Sequence, residues 1–427
     1  MKSIALNVQA VSPLAIRSDH AQRGAESTKY IPGSALTGSL AIVHRLYHPD
    51  DAEIFERLFL KGGVLYPDLY PANFGNEEGQ TDDILPVYPL PKTAESCKRF
   101  SGFRNVPPNK KIDDPGHGVR DSLLDWAIYK LAERSKLTFT PSELLAPLKK
   151  YDHCEDCGKP MAPFSGYYRS KEGHHIIAQS DTRLQTHTGI NRETGTVQEN
   201  ILCNRRVFEE QSRFWGMIRI NNELISTFQQ FIEAVGTSGL VRIGTGRTRG
   251  LGKVHLTASL LEDKQDRFEL FKERLDKFDT NLQTRAVTAY SAYGKDLKPE
   301  LKQFYFTLTL HSPTILCDEL FRYRSTIDNE ILVKMIGLQE EENPFEILYQ
   351  SVSTSRITGW NELWGTPRTN DIAIDSGSVF LIESKKPLEE LAHKLYTLEE
   401  EGIGRRRAEG FGRICVSDPF HLEVELR

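Results

Sequence analysis

Apolar and polar positions alternate over residues 3–11, with Ile4, Leu6, Val8 and Ala10 interleaved by residues such as Asn7 and Gln9. A period of two predicts a strand. A polar loop runs through Pro32, and the pattern then predicts a helix from Gly33 to about Tyr47, with Ser34 as its N-cap. A second short helix is expected over 50–60. Strand texture returns at 183–190 and 206–220, followed by a helix at 222–235 and a strand at 253–258. The stretch 62–180 has a different texture, with the Pro-rich run Leu85–Pro91, a concentration of Cys and His, and one amphipathic helix near 121–133. Set aside as an insertion, it leaves the order β-α-β-β-α-β, the ferredoxin-like (RRM-like) arrangement.

A charged, helical segment at 261–285 leads to a second series. Phe304–Leu310 reads as a strand with Phe304, Phe306, Leu308 and Leu310 on one face. A helix at 328–337, strands at 350–358 and 371–383, a helix at 387–400 and a strand at 411–417 complete the same order. The expected fold class is α+β with two tandem ferredoxin-like domains. Residues 1–260 form the first, with the insertion inside it, 261–300 a charged linker, and 301–427 the second.

Both halves carry nearly the same motif at the same address, between the last helix and the last strand. Gly244-Thr245-Gly246-Arg247-Thr248-Arg249-Gly250-Leu251-Gly252-Lys253 is one copy. Gly402-Ile403-Gly404-Arg405-Arg406-Arg407-Ala408-Glu409-Gly410-Phe411-Gly412-Arg413 is the other, 158 residues later. Glycine lets backbone approach a ligand, and arginine grips phosphate in a fork. A dinucleotide-binding turn follows a strand and opens a helix, so the helix-loop-strand order here excludes it. Neither copy has the Gly-Lys-Ser/Thr of a P-loop. The competing reading is a pair of basic helix C-caps; adjacent arginines favour a phosphate-facing loop.

Net charge is −5 over 427 residues, so a nucleic-acid surface must be local. A hydrophobic share of 39% suits a globular chain. The first residues do not form a signal peptide, and no run approaches the roughly 20 apolar residues of a membrane span. Six cysteines over this length do not make a disulfide scaffold. The expected compartment is a reducing cytoplasm.

The Gly/Arg loops resemble those of the RAMP proteins of CRISPR systems. Ile31-Pro32-Gly33-Ser34-Ala35-Leu36-Thr37-Gly38-Ser39-Leu40 is similar to the family's motif at the first helix, with Thr37 where the family has Arg or Lys. Thr358-Gly359-Trp360-Asn361, Gly365-Thr366-Pro367-Arg368 and Gly377-Ser378-Val379-Phe380 resemble the tandem-domain RAMPs of type III complexes. The whole looks most like the type III-D subunit that caps the crRNA 5′ handle. The resemblance implies a non-catalytic, RNA-binding role in antiviral defence. Its implied partners are crRNA, the large polymerase/cyclase-like subunit, the backbone RAMP subunits and, indirectly, target RNA. The expected RNA contacts are Gly33, Ser34 and Gly38 at the helix start, Gly244, Gly246, Arg247, Arg249 and Gly252 in the first loop, and Gly404, Arg405, Arg406, Arg407, Gly410, Phe411 and Gly412 in the second. In the family, a region equivalent to the Thr186–Cys203 hairpin contacts the guide, which adds Asn191 and Arg192. Phe411, Trp360 and Tyr30 are stacking candidates, with core positions as the competing reading.

Cys154-Glu155-Asp156-Cys157-Gly158-Lys159 is a C-x-x-C knuckle able to turn two thiolates onto one metal. Cys97 and His117 are the expected further ligands of a structural zinc, with His153 and Cys203 as alternatives. The competing reading is a pair of metal-free thiols. Cys317 and Cys415 read as core residues.

Two functional alternatives stay open. One is a metal-independent endoribonuclease using His20 or His187 as base. The other is a protein-interaction scaffold whose loops meet neighbouring subunits.

Overall fold

The computed structural model describes the chain except for residues 17–26, 74–85, 105–115, 136–152, 172–173, 262–265, 294–297, 340–342, 362–364 and 423–427. Residues of β1 (Lys2–Ala10) alternate as expected, and Ile4, Leu6, Val8 and Ala10 are all buried. They face Leu36, Leu40 and Val43 of α1 (Gly33–Tyr47), beside which lies α2 (Ala52–Phe59). The short β2 (Val64–Leu65) follows and joins the first sheet, so the insertion expected from 62 begins later. In that sheet β2 takes the place expected for 183–190, which pairs in a separate ribbon. The stretch expected as an insertion contributes β3 (Ala94–Cys97), β4 (Val119–Asp121), α3 (Leu123–Arg134) and β5 (Met161–Pro163). A two-stranded ribbon, β6 (Thr182–Ile190) with β7 (Val197–Phe208), precedes β8 (Arg213–Ile220), α4 (Ile225–Val235) and β9 (Val254–Leu260). The first sheet has the strand order β9-β1-β8-β2, antiparallel throughout.

The charged segment expected as a linker forms α5 (Arg267–Tyr293). Phe271 and Leu275 on its first turns enter the second core, and Phe278, Leu282, Ala286, Ala289 and Tyr290 join another cluster further along. Then come β10 (Phe304–Leu310), a small hairpin of β11 (Leu316–Cys317) and β12 (Tyr323–Arg324), α6 (Asn329–Ile336), β13 (Phe345–Ser351), β14 (Val379–Ser384), α7 (Leu388–Glu401) and β15 (Ile414–Val416). The second sheet has the order β13-β14-β10-β15, again antiparallel. Both sheets therefore set the strand after the last helix beside the first strand of their half.

Every residue of β10 is buried, not only its expected face. Phe304, Phe306, Leu308 and Leu310 meet the core under α6 and α7. The opposite face, with Tyr305 of β10 and Val379 and Leu381 of β14, is covered by Leu124, Ile128 and Leu131 of α3 and by α5. The insertion's helix thus packs on the second half's sheet. Asp279 of α5 accepts from the Tyr305 amide at 2.9 Å, and Arg134 of α3 pairs with the buried Glu383 at 2.9 Å.

Some boundaries differ from the pattern. The strand expected over 206–220 breaks between β7 and β8, where Gln211 turns with φ +68°. The stretch expected as one strand over 371–383 is Asp371–Ile374 and β14, separated by a turn at Gly377 with φ +78°. Ser34 is not the N-cap of α1. Pro32 holds that position in extended geometry, without a side-chain cap. Ser34 lies inside the first turn, beyond the place from which a cap oxygen reaches forward. No helix among the described residues is long and apolar enough to cross a membrane.

Candidate nucleic-acid interface and metal centre

The two Gly/Arg loops share a hydrogen-bond frame, partner for partner. Ile243 and Gly252 bond backbone to backbone at 2.8 Å, as do Ile403 and Gly412. The Gly252 amide donates to Pro13 O, and the Gly412 amide to Pro313 O, each at 2.9 Å. Thr245 N donates to Ala15 O at 2.8 Å, and Arg405 N to Ile315 O at 2.9 Å. The Ser12 and Ser312 hydroxyls accept from the amides of Lys253 and Arg413, each at 2.9 Å. The sequence carries a matching signal that the loop motif alone does not use: Ser-Pro at 12–13 and again at 312–313. Each loop is thus tied to the end of the first strand in its half. In both, a short 3-10 turn (Arg247–Arg249, Arg407–Glu409) follows the second glycine.

The arginines differ in what they face. Arg249 is exposed and lines a cleft of about 350 Å³ with Leu251, Gln185, Thr186, His187 and Arg205. The ribbon β6–β7 forms the other wall, so the cleft brings Arg249 and Arg205 to one basic mouth. Arg247 is half-buried, and its carbonyl accepts from Arg242 at 3.2 Å. In the second loop, Arg405 is exposed and lies over the ring of Phe321 at 5.4 Å. Arg407 is exposed and reaches Glu401 at 3.6 Å.

Arg406 faces inward. It bonds Asp371 and Glu409, each at 2.8 Å, and covers the ring of Phe411 at 4.7 Å. Glu409 also holds Arg368 at 2.7 Å. Burial works against the Glu409 carboxylate, yet Arg406 and Arg368 hold it below its usual range. Arg406 therefore clamps the loop. Phe411 is 8% exposed and packs with Ile315 and Ala373, so it does not present an open face for a base. The pattern could not separate Arg406 from Arg405, because Asp371 lies 35 residues upstream.

The start of α1 meets the second loop. An added Cβ on Gly33 would stand 2.6 Å from Glu409 O and 2.8 Å from both the Gly410 Cα and Pro67 O. The Gly33 amide donates to Asp68 Oδ1 at 2.7 Å, which commits the donor expected to face phosphate. Thr37 is buried and bonds back to Gly33 O at 2.8 Å. Ser34 is half-buried and Gly38 is exposed. Burial pushes the Asp68 carboxyl up to about 7, against the pull of the Gly33 amide and Arg413. Asp68 is a residue the sequence reading missed, since nothing local distinguishes a lone Asp after Pro67.

At the ribbon tip, Asn191 Oδ1 accepts from the Glu193 amide at 2.9 Å and closes the turn, while Arg192 is exposed. His187 is exposed on the cleft wall. His20 lies outside the described residues. Tyr30 is half-buried against Tyr70, with ring centroids 5.9 Å apart.

In the insertion, β3 pairs with both β4 and β5. That sheet gathers Cys97 at the end of β3, His117 ahead of β4, and Cys154 and Cys157 ahead of β5. One donor atom from each lies within 4.8 Å of all the others. Cys97 Sγ and Cys157 Sγ are 3.5 Å apart, and His117 Nδ1 and Cys154 Sγ are 3.3 Å apart. With Zn–S near 2.3 Å, a tetrahedron has sulfur–sulfur edges of roughly 3.8 Å, so this donor set fits a closed four-ligand site. His153 bridges to Pro160 on the knuckle and stands outside the cluster. Cys415 is buried as expected, whereas Cys317 is only half-buried.

A family model described as the RAMP superfamily matches residues 7–255, more than half of the chain. Among solved structures, a chain of the type III-B Cmr-beta complex bound to cognate target RNA and AMPPnP aligns with a TM-score of 0.32 and 15% identity. The alignment covers 88% of this chain and 86% of that one. Chains from Cmr-beta bound to cognate target RNA and from its apo state align at 0.29 and 0.28, each 11% identical. These cover 60% and 61% of this chain and 97% and 98% of theirs. No curated protein matches.

Proposed function

Because the chain belongs to the RAMP superfamily, we propose that it is a non-catalytic RNA-binding subunit of a type III CRISPR effector complex. In this reading it holds the repeat-derived 5′ handle of crRNA and docks the large subunit. The observation that carries it is the repeated loop frame: two Gly/Arg loops, each tied by the same bonds to a first strand, each presenting an exposed arginine. The common strand order of the two sheets supports two ferredoxin-like RAMP domains in tandem. A polyanion would bind through Arg249 and Arg205 at the ribbon cleft, and through Arg405 and Arg407 at the second loop.

The Cys97, His117, Cys154 and Cys157 donors would hold a structural zinc. Such an ion supplies a cross-link between three short strands; four protein ligands leave no position for a substrate.

Crosslinking of RNA to the natively purified assembly, followed by peptide mapping, tests the role. Crosslinks from the 5′ end of a short guide to 183–206, 244–253 or 402–413 are expected. Guide RNA that co-purifies but crosslinks at none of these would turn the loops into protein-docking elements. Cleavage of a repeat RNA by the purified chain, abolished by His187→Ala, would overturn the non-catalytic reading.

A further inference from the structure

The hairpin β11–β12 presents Leu320 and Phe321, each 71% exposed, at its tip. Because Leu320 and Phe321 are adjacent at one tip, they form a contiguous exposed patch and not isolated surface positions. The ring is also held out deliberately. Phe321 has φ +58°, a conformation unfavourable for a bulky side chain and typical of sites where the surroundings enforce it. Asp318 is what enforces it here. Its Oδ1 accepts from the amides of Leu320 and Arg322, each at 2.9 Å, and its carbonyl accepts from Phe321 N at 3.0 Å. Its Oδ2 accepts from Arg322 Nε at 2.7 Å.

Behind the ring stands the second Gly/Arg loop. Arg405 places its guanidinium 5.4 Å from the Phe321 centroid, and its backbone amide bonds to Ile315 O at 2.9 Å just ahead of β11. Hairpin and loop are therefore one block, with a guanidinium on one side of the ring. The neighbouring carboxylates are already engaged: Asp318 by Arg322, Glu319 by Lys334 at 2.9 Å, and Asp371 by Arg406 and by the Tyr323 hydroxyl at 2.8 Å. The patch thus combines the open Phe321 ring, Leu320, the partly exposed Tyr323 ring, arginines and one exposed carboxylate, Glu319, held by Lys334. That composition matches a base, its sugar and the adjoining phosphates.

We infer that Phe321, backed by Arg405, is a stacking platform for one unpaired base of single-stranded RNA. The inference rests on the RNA-binding reading above and names a contact within it. Stacking is sequence-tolerant and carries no charge, so its loss should lower affinity without altering salt dependence.

The test is fluorescence anisotropy of a labelled short single-stranded RNA carrying the handle sequence, titrated with full-length chain at several salt concentrations. Phe321→Leu keeps the bulk and the exposure but removes the π face. It should bind roughly tenfold more weakly with an unchanged salt slope. Phe321→Trp should bind at least as tightly as the parent. Arg249→Ala is the control for the reading itself and should flatten the slope by roughly 0.7. If Phe321→Leu binds like the parent while Arg249→Ala flattens the slope, the platform is overturned and the RNA-binding role stands. If the parent does not bind the RNA, both fall. If Phe321→Leu keeps its RNA affinity but no longer co-purifies with other subunits, the patch is a protein contact and the inference is overturned.

Discussion

A methyl group on Gly412 would have to sit 1.8 Å from the carbonyl oxygen of Ile403, at a φ of +74°. No rotamer relieves a clash between backbone and Cβ. Gly250 in the other loop also has positive φ, at +84°, but a Cβ there meets nothing within 4 Å. The pair separates two reasons for glycine that look identical in the motif. Gly250→Ala should cost about 1 kcal/mol, the conformational term alone. Gly412→Ala should cost on the order of 3 kcal/mol or more, since the frame of the second loop must open. Chemical denaturation of the two variants checks this, and equal costs would mean that close approach does not decide the loop. The same limit on legibility applies to the arginines. Their presence in both loops could be read directly. Which of them turns outward could not, because Asp371 and Glu409 select Arg406 for an internal clamp, and only folding brings Asp371 within reach.

At the scale of elements, long periodic segments were readable and short ones were not. β1, α1 and β10 announce themselves through unbroken periodicity. The three strands that gather Cys97, His117, Cys154 and Cys157 span only three or four residues each, too few to show a period. The candidate donors and the C-x-x-C spacing were legible all the same, because few residue types can serve as metal donors, whereas many can form a strand. Helix α3 is held differently from those strands. Its apolar face is buried against α5 and the second sheet, and its neighbour Asp121 bonds the buried His421 at 2.7 Å. Metal loss should therefore act unevenly. The parent should contain about one zinc per chain, and Cys154→Ala should lose it. Amide exchange should then speed up on the order of tenfold or more at 94–97, 117–121 and 153–163, while 123–134 stays protected. Uniform loss of protection over both regions would show that the ion supports the whole insertion. Full metal-free protection would leave the cluster as packed thiols.

Across the whole molecule, the halves meet through buried polar contacts instead of a purely apolar seam. Asp68 and Arg219 of the first half face the second, where Arg219 reaches Glu400 at 2.8 Å and Arg413 donates to Leu65 O at 2.9 Å. Such contacts were illegible in the sequence, since they join residues 181 and 348 positions apart with no periodic signature. They make stability depend on pH in a direction that can be worked out. The Asp68 carboxyl is raised by burial to about 7 when folded, whereas an unfolded Asp titrates near 4. Between those values the folded chain binds the extra proton, so stability is fully present below about pH 4 and falls as pH rises toward 7. His421 acts in the same sense: burial lowers it, but Asp121 and Asp418 together outweigh burial and raise it, so its contribution fades as pH rises through its folded value. Asp418 acts oppositely. Burial opposes its ionisation, yet His311 holds it down at about 2, and that contribution is lost as pH falls below 4. Asp68→Asn keeps an oxygen for the Gly33 amide and removes the ionisation. Its unfolding free energy relative to the parent should climb between pH 4 and pH 7 by on the order of 2–4 kcal/mol, then level off. Equilibrium denaturation at a series of pH values measures that difference. A difference that stays constant from pH 4 to pH 8 would mean that Asp68 ionises as it does in the unfolded chain. Arg413 would then offset the burial in full, and the seam between the halves would be indifferent to the proton at this position.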